Sequence, residues 1–267
     1  MKSIENISLS NVQQVYDGSE GQLWELIMGQ QIHIGGFSSS MDLADKAGIS
    51  KGMNGVDFCC CNGAGMRFLV RFCSVESMVG IDATQTMIDQ CKQRCRQEDL
   101  SANISCHLAD VCDTGLESDS FDFVWGEDAW CYVEDKTKMI AEAARLVKSG
   151  GTIAFTDWIE GPTGLSDKQS ARFLAFMKFP NILNAQDYSE LLTDNGCEII
   201  HCQNTERFAP YIDLYLKMVD MQLTYDVLSL IGYDMQILQG LAEEMKFMQE
   251  LAHAGNIAQG LFVAKKQ

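Results

Sequence analysis

From about residue 54 the chain alternates short apolar runs with amphipathic segments, and four successive runs end in polar tips. Gly55 to Cys60, Met78 to Asp82, Ile104 to Ala109 and Phe121 to Gly126 are those runs. Near-continuous apolar strands separated by helical periodicity signal βα units around a parallel sheet buried on both faces. Between the strands, Thr84 to Gln97 repeats Met87, Cys91 and Cys95 at intervals of four with Ile88 beside them, which predicts a helix lying on the sheet. Lys136 to Lys148 turns Met139, Ile140, Ala143, Leu146 and Val147 inward, and Gly150 and Gly151 are expected to end that helix. Thr152 to Thr156 reads as a fifth strand, Ala185 to Asn195 as a helix, Glu198 to Cys202 as a sixth strand and Gly260 to Lys265 as the last.

Apolar residues recur every three or four positions from Tyr211 to His253, predicting two amphipathic helices inserted between the last two strands. The expected fold is therefore α/β: a seven-stranded, doubly wound, mostly parallel sheet in one domain spanning 1–267. Residues 1–50 would form an N-terminal cap, and 205–255 a helical cover.

Charge narrows the partners. With 37 acidic against 20 basic residues the net charge is -17, so nucleic acid would meet a repulsive field. No run approaches the ~18 apolar residues that span a bilayer, and Met1 to Tyr16 lacks the basic start and apolar stretch of a signal peptide. A cytoplasmic protein without a membrane partner, monomeric or homodimeric, is expected. The eleven cysteines are an odd number in a large chain, with three in a row at Cys59, Cys60 and Cys61, and are expected as reduced thiols. No CxxC pair or Cys/His cluster has zinc spacing, so no metal is expected.

In an open α/β sheet the ligand lies beyond the carboxyl ends of the strands where strand order reverses. The first strand leads into Cys59-Cys60-Cys61-Asn62-Gly63-Ala64-Gly65, where small residues let backbone approach a ligand. Asp82 follows the second strand, placed to accept ribose hydroxyls of an adenosine. Asp110 follows the third, placed to accept from an adenine amino group, and Glu127-Asp128-Ala129-Trp130-Cys131-Tyr132 follows the fourth. Any one acid is explained as a helix N-cap, but the ordered set points to a nucleoside.

These residues resemble the motifs of class I S-adenosylmethionine-dependent methyltransferases, over about Tyr16 to Lys265. Within that class they look most like the small-amine N-methyltransferases, those of sarcosine/dimethylglycine and of phosphoethanolamine. Tyr16 through Gly36 is similar to the segment that closes over the cofactor there, and Asp128 to Tyr132 with Asp135-Lys136 is similar to the motif after strand four. Ala144 to Gly151 looks like the general class segment before strand five.

The resemblance implies S-adenosylmethionine as cofactor, contacted by Gln31, Asp57, Cys59, Asn62, Gly63, Asp82, Ala83, Met87, Asp110, Val111 and Glu127. It implies Tyr16, Asp128 and Tyr132 as the catalytic set. Two departures stand out: Cys59 and Cys61 occupy places where the family usually has glycine, and a cysteine fits there with a negative φ. Tyr132 stands where relatives often have histidine, so a Tyr/Tyr pair orients without titrating near neutrality.

Aromatic faces stabilise an ammonium, which makes Trp130, Tyr132, Trp158 and Tyr215 a candidate acceptor wall, although core packing explains Trp158 and Tyr215 equally well. His33 and Lys178 complete the candidate substrate set. The expected reaction is methyl transfer to a small polar molecule, foremost a small amine or amino acid such as sarcosine or dimethylglycine. The rivals are S-, O- or arsenic methylation, and a catalytically silent cofactor-binding protein.

Overall fold

The computed structural model describes residues 1–267 throughout. Seven strands form one sheet: β1 (Asn54–Phe58), β2 (Ser77–Asp82), β3 (Ile104–Leu108), β4 (Phe121–Glu127), β5 (Val147–Glu160), β6 (Cys197–Asn204) and β7 (Ile257–Lys266). Their order across the sheet is β3-β2-β1-β4-β5-β7-β6. The first five are parallel and β7 runs antiparallel to both of its neighbours. Strand order reverses between β1 and β4, which opens a crevice at their carboxyl ends. The predicted sheet architecture is the one observed.

The helices are α1 (Leu9–Asp17), α2 (Ser19–Met28), α3 (Gly36–Ala47), α4 (Ala64–Cys73), α5 (Gln85–Gln97), α6 (Lys136–Leu146), α7 (Asp167–Met177), α8 (Ala185–Asp194), α9 (Phe208–Met218), α10 (Thr224–Leu230) and α11 (Met235–His253). Alternation along β4 shows how the layers arise. Val124 packs among Met139, Ile140 and Ala143 of α6 and Tyr188 and Leu192 of α8. Its neighbours Phe123 and Trp125 point the other way, among Leu43 and Ala44 of α3, Met66 and Leu69 of α4 and Ile88 of α5. A third cluster joins α1, α2, α7, α9, α10 and α11 around Trp158, Phe173 and Phe179, above the strand ends.

Three readings are corrected. Helix α6 ends at Leu146, and Gly150 and Gly151 lie inside β5, where register jumps from Phe121 opposite Val147 to Phe123 opposite Thr152. Gly150, at φ 76°, makes that bulge. The segment from Tyr211 is broken further than two helices: a π-type turn at Val219–Leu223 joins α9 to α10, and Asp234 caps α11 by accepting from the Gln236 and Ile237 amides. Finally, the cysteines are not all reduced, because α5 packs on β3 and joins Cys91 to Cys106. The Cys95 sulfur lies beside that pair, a grouping that spacing conceals because Cys106 arrives from the sheet.

Candidate active site

The second strand tip organises the cleft. Asp82 Oδ2 accepts the Cys61 amide at 2.9 Å and Oδ1 accepts the Thr84 amide at 2.8 Å. One carboxylate thereby fixes the turn after β1 and the turn into α5, and each oxygen keeps lone-pair capacity facing the cleft. Burial raises this carboxyl while the two amides pull it back. Asp110, exposed after β3, accepts from the Cys112 amide at 2.8 Å.

A cavity of about 440 Å³ lies between these tips, within the range of cofactor sites. Of the expected residues, Tyr16, Cys59, Asp82, Ala83, Met87, Asp110, Val111 and Tyr132 line it. Leu9 and Val12 of α1 close its roof, and Gln13 pins that helix by donating to the Ala83 carbonyl at 2.7 Å. The sequence reading missed this roof, although Leu9, Val12 and Tyr16 lie three and four apart on one helical face.

A second, smaller cavity of about 50 Å³ adjoins it, lined by Gln31, His33, Asp57, Asn62, Glu127 and Asp128 among others. The two share Tyr16, Cys59, Cys61 and Ala129. Gly65 makes the smaller one possible, since a Cβ there would stand 2.9 Å from Glu127 Oε2 and 3.3 Å from Trp125 Nε1. That indole N–H is buried without a partner. Burial pushes Asp57 well up, and the Glu127 carboxylate adds to the rise. Two crowded carboxylates suit an ammonium group such as that at the charged end of an amino-acid ligand.

Helix α3 supplies a polar wall that the sequence did not reveal. Ser40 Oγ donates to Glu127 Oε1 at 2.6 Å, receives Gln31 Nε2 at 2.7 Å and lies 3.2 Å from His33 Nε2. Asp128, in left-handed backbone at φ 52°, accepts the Ile34 amide at 2.8 Å and Gln259 Nε2 at 2.8 Å on Oδ2. It thus ties the N-terminal segment to β4 and β7. Asn62 donates to the Gln30 carbonyl and accepts from the Ala64 amide, and Gly63 caps α4 at φ 78°.

The negative φ on which an unstrained cysteine in this turn depends is absent: Cys59 stands at 59° and Cys61 at 48°. The turn keeps the left-handed geometry that glycine normally supplies, because the Asp82 carboxylate and the Cys60 amide bonded to the Ile81 carbonyl fix the chain on both sides.

Tyr16 and Tyr132 meet edge to face with centroids 5.7 Å apart, and burial raises both phenols above their usual range. The remaining aromatics of the expected wall lie elsewhere. Trp130 is fully buried in the core, stacked on Phe155 at 4.0 Å, and Gly126 makes room for it, since a Cβ there would touch its Nε1 at 2.2 Å. Trp158 packs among Phe173, Phe179 and Phe208, and Tyr215 is buried in the same cluster. Lys178 ends α7 and donates to the Ala175 carbonyl at 3.0 Å.

Residues 56–155 match the family described as methyltransferase domain. Tocopherol O-methyltransferase of Arabidopsis thaliana is 24% identical, over 96% of this chain and 81% of its own. Dimethylglycine N-methyltransferase of Parasynechococcus marenigrum is 28% identical over 53% of this chain and 56% of its own, so the match spans about half of that relative. Among solved structures, Haemonchus contortus phosphoethanolamine N-methyltransferase 2, in complex with phosphomonomethylethanolamine and S-adenosylhomocysteine, superposes with a TM-score of 0.85 at 19% identity. That alignment covers 98% of this chain and 60% of the other.

Proposed function

We propose that this chain, a class I S-adenosylmethionine-dependent methyltransferase acting on small molecules, passes the methyl group to the nitrogen of an amine. The observation that carries the reading is the chemistry where the two cavities meet. Tyr16, Tyr132, Cys59 and Cys61 are all held in their proton-bearing forms by burial. A hydroxyl acceptor needs a base at that point, whereas an unprotonated amine brings its own lone pair.

The residues divide the work. Asp57 and Glu127 would balance the ammonium of the cofactor's amino-acid end, Asp82 would accept from the ribose and Asp110 from the adenine. The bound cofactor supplies a methyl on a cationic sulfur. Tyr16 and Tyr132 accept hydrogen bonds from an amine N–H and so aim the lone pair, while α1 and α2 keep water out. With S-adenosylmethionine bound, the amine lone pair would take the methyl group, the sulfur would keep the electrons of the broken C–S bond, and a primary or secondary amine would then release its extra proton to solvent. In this reading 1–50 act as cap and 205–255 as cover, Asp128 positions the cap, and Trp130, Trp158 and Tyr215 shape the site from behind. The dimethylglycine and phosphoethanolamine relatives support an amine acceptor.

The test is transfer of radiolabelled methyl to glycine, sarcosine, dimethylglycine, phosphoethanolamine, simple alkylamines, thiols and arsenite. Label on at least one amine is expected. Label on thiols or arsenite alone would remove the proposal.

A further inference from the structure

Three cysteine sulfurs meet where α5 packs on β3, the edge strand of the sheet. Cys91 and Cys95 stand four apart on one face of α5, Cys106 comes from β3, and the three Sγ atoms all lie within 4.8 Å of one another. The Cys91–Cys106 bond uses two of them and leaves the third beside it. A bond that only fastened helix to strand needs no third sulfur, since any small apolar side chain fills the place of Cys95.

The surroundings are rich in sulfur as well. Gly80 lies inside β2, where a glycine weakens the strand, and a Cβ there would stand 2.6 Å from Cys60 Sγ and 2.9 Å from Met66 Sδ. A Cβ at Gly63, in the turn after β1, would stand 2.6 Å from Cys91 Sγ. Both glycines leave room for sulfur, and Gly63 puts the cluster against the turn that faces the cleft.

The donor set selects the ligand. No histidine, carboxylate or fourth thiolate joins the group. Calcium and magnesium require oxygen, and a closed zinc site requires one ligand more. Thiolates alone select soft ions. An ion with bonds of about 2.3 Å holds three thiolates about 4 Å apart, inside the span these sulfurs occupy. Burial pushes the Cys95 thiol up and the Arg67 guanidinium pulls it back, and the same guanidinium donates from Nη1 to the Asn62 carbonyl of the turn at 2.7 Å. Arg96 and Ser105, next to Cys95 and Cys106 in the chain, are exposed, so the cluster lies close to solvent.

We propose that Cys91, Cys95 and Cys106 form a site, separate from the cleft, for a thiophilic three-coordinate ion such as monovalent copper, divalent cadmium or trivalent arsenic, with the disulfide as its closed form. Opening takes two electrons and two protons from a reductant, a phosphine in water or a pair of thiols, and yields two thiols. A divalent ion then displaces three protons to solvent and leaves one net negative charge near Arg67. The inference stands apart from the amine reading and survives its failure.

The experiment titrates cadmium into protein reduced with a water-soluble phosphine and freed of it by gel filtration under argon. Sulfur-to-cadmium charge-transfer absorption and calorimetry should show one equivalent bound tightly. Loss of supporting groups around a metal commonly costs 10–100-fold, so removal of a ligand in Cys95→Ser or Cys106→Ala should weaken that equivalent by at least about tenfold. Cys202→Ser, at an exposed sulfur, should leave it unchanged. A measurement on the parent alone covers the case in which the variants fail to fold. Diamide, which oxidises two thiols to a disulfide as it becomes a hydrazine, should consume two fewer thiols in cadmium-loaded protein than in the unloaded form. No bound equivalent in the reduced parent, an equivalent that survives both ligand substitutions, or equal thiol loss with and without cadmium overturns the proposal.

Discussion

The cysteine turn offers a test whose sign is decided by backbone geometry alone. At an ordinary position Ala is more stable than Gly by about 0.5–1 kcal/mol, because Gly has more freedom to lose on folding. At a left-handed position an L side chain costs about 1–2 kcal/mol, and the order inverts. Cys59 and Cys61 have φ of 59° and 48°, whereas Cys60 between them does not share that conformation. Comparing Gly with Ala at each site removes the sulfur in both variants, so the lost contact of Cys61 Sγ with Met87 Sδ at 3.3 Å cancels. Gly should exceed Ala by about 0.5–1 kcal/mol at 59 and 61, the strain relieved less the entropy lost, and trail it by a similar amount at 60. In a chain of this size that is about 1–4 °C in Tm per variant, resolvable by calorimetry or urea titration. Loss of Sγ at 61 also widens the larger cavity, so Cys61→Gly should bind S-adenosylmethionine more tightly than the parent. Ala equal to or better than Gly at both 59 and 61 would refute the strain argument.

Three further outcomes follow from the same geometry. Asp157 is fully buried between the Cys131 amide at 3.0 Å and the Tyr188 hydroxyl at 2.5 Å, and burial pushes it up to about 7. The folded state therefore holds this proton more tightly than the unfolded chain, whose carboxyl titrates near ~3.9, so the group's contribution to stability is full below that value and is lost as pH rises to about 7. Urea unfolding from pH 4 to 8 should show that decline in the parent and a flatter profile in Asp157→Asn; parallel profiles would count against it. Asp82→Ala removes the acceptor of two backbone amides as well as the proposed ribose partner, and should lower S-adenosylmethionine affinity at least tenfold by calorimetry. Gln259→Leu strips a donor from the buried Asp128, with an expected cost of about 1–3 kcal/mol and faster hydrogen exchange at the Ile34 amide, while an unchanged Ile34 rate would dissociate the two residues.

The strands and their acidic tips were readable because parallel βα units write each element twice, once as an apolar run and once as the polar residue that ends it. Asp82 and Asp110 come together at one cavity as the spacing implied. Other features had no local signature. Gly150 could equally end a helix or turn a bulge, and only the pairing of Phe121 with Val147 separates the two. The φ of Cys59 and Cys61 is imposed by partners such as Asp82, 21 residues beyond Cys61. Trp130 sits in a motif near the cleft, yet the side chain goes where Gly126 leaves space, which is the core. Helix α7 passed unread between Ser166 and Lys178, where a capping box of Ser166 and Gln169 was the available cue. Ser40 and Gln259 enter the site from elements remote in sequence and carry no motif at all.

The clasp at Asp128 also imposes an order on synthesis. Every strand tip that touches the larger cavity has been made by residue 135, but Gln259, which braces Asp128 against the Ile34 carbonyl and amide, belongs to β7, 131 residues beyond Asp128. A growing chain leaving the ribosome can assemble β1 to β4 and still lack the brace that holds its own beginning in place. Until β7 is made, Asp128 lacks that donor and the tie between β4 and the segment at Ile34 is incomplete.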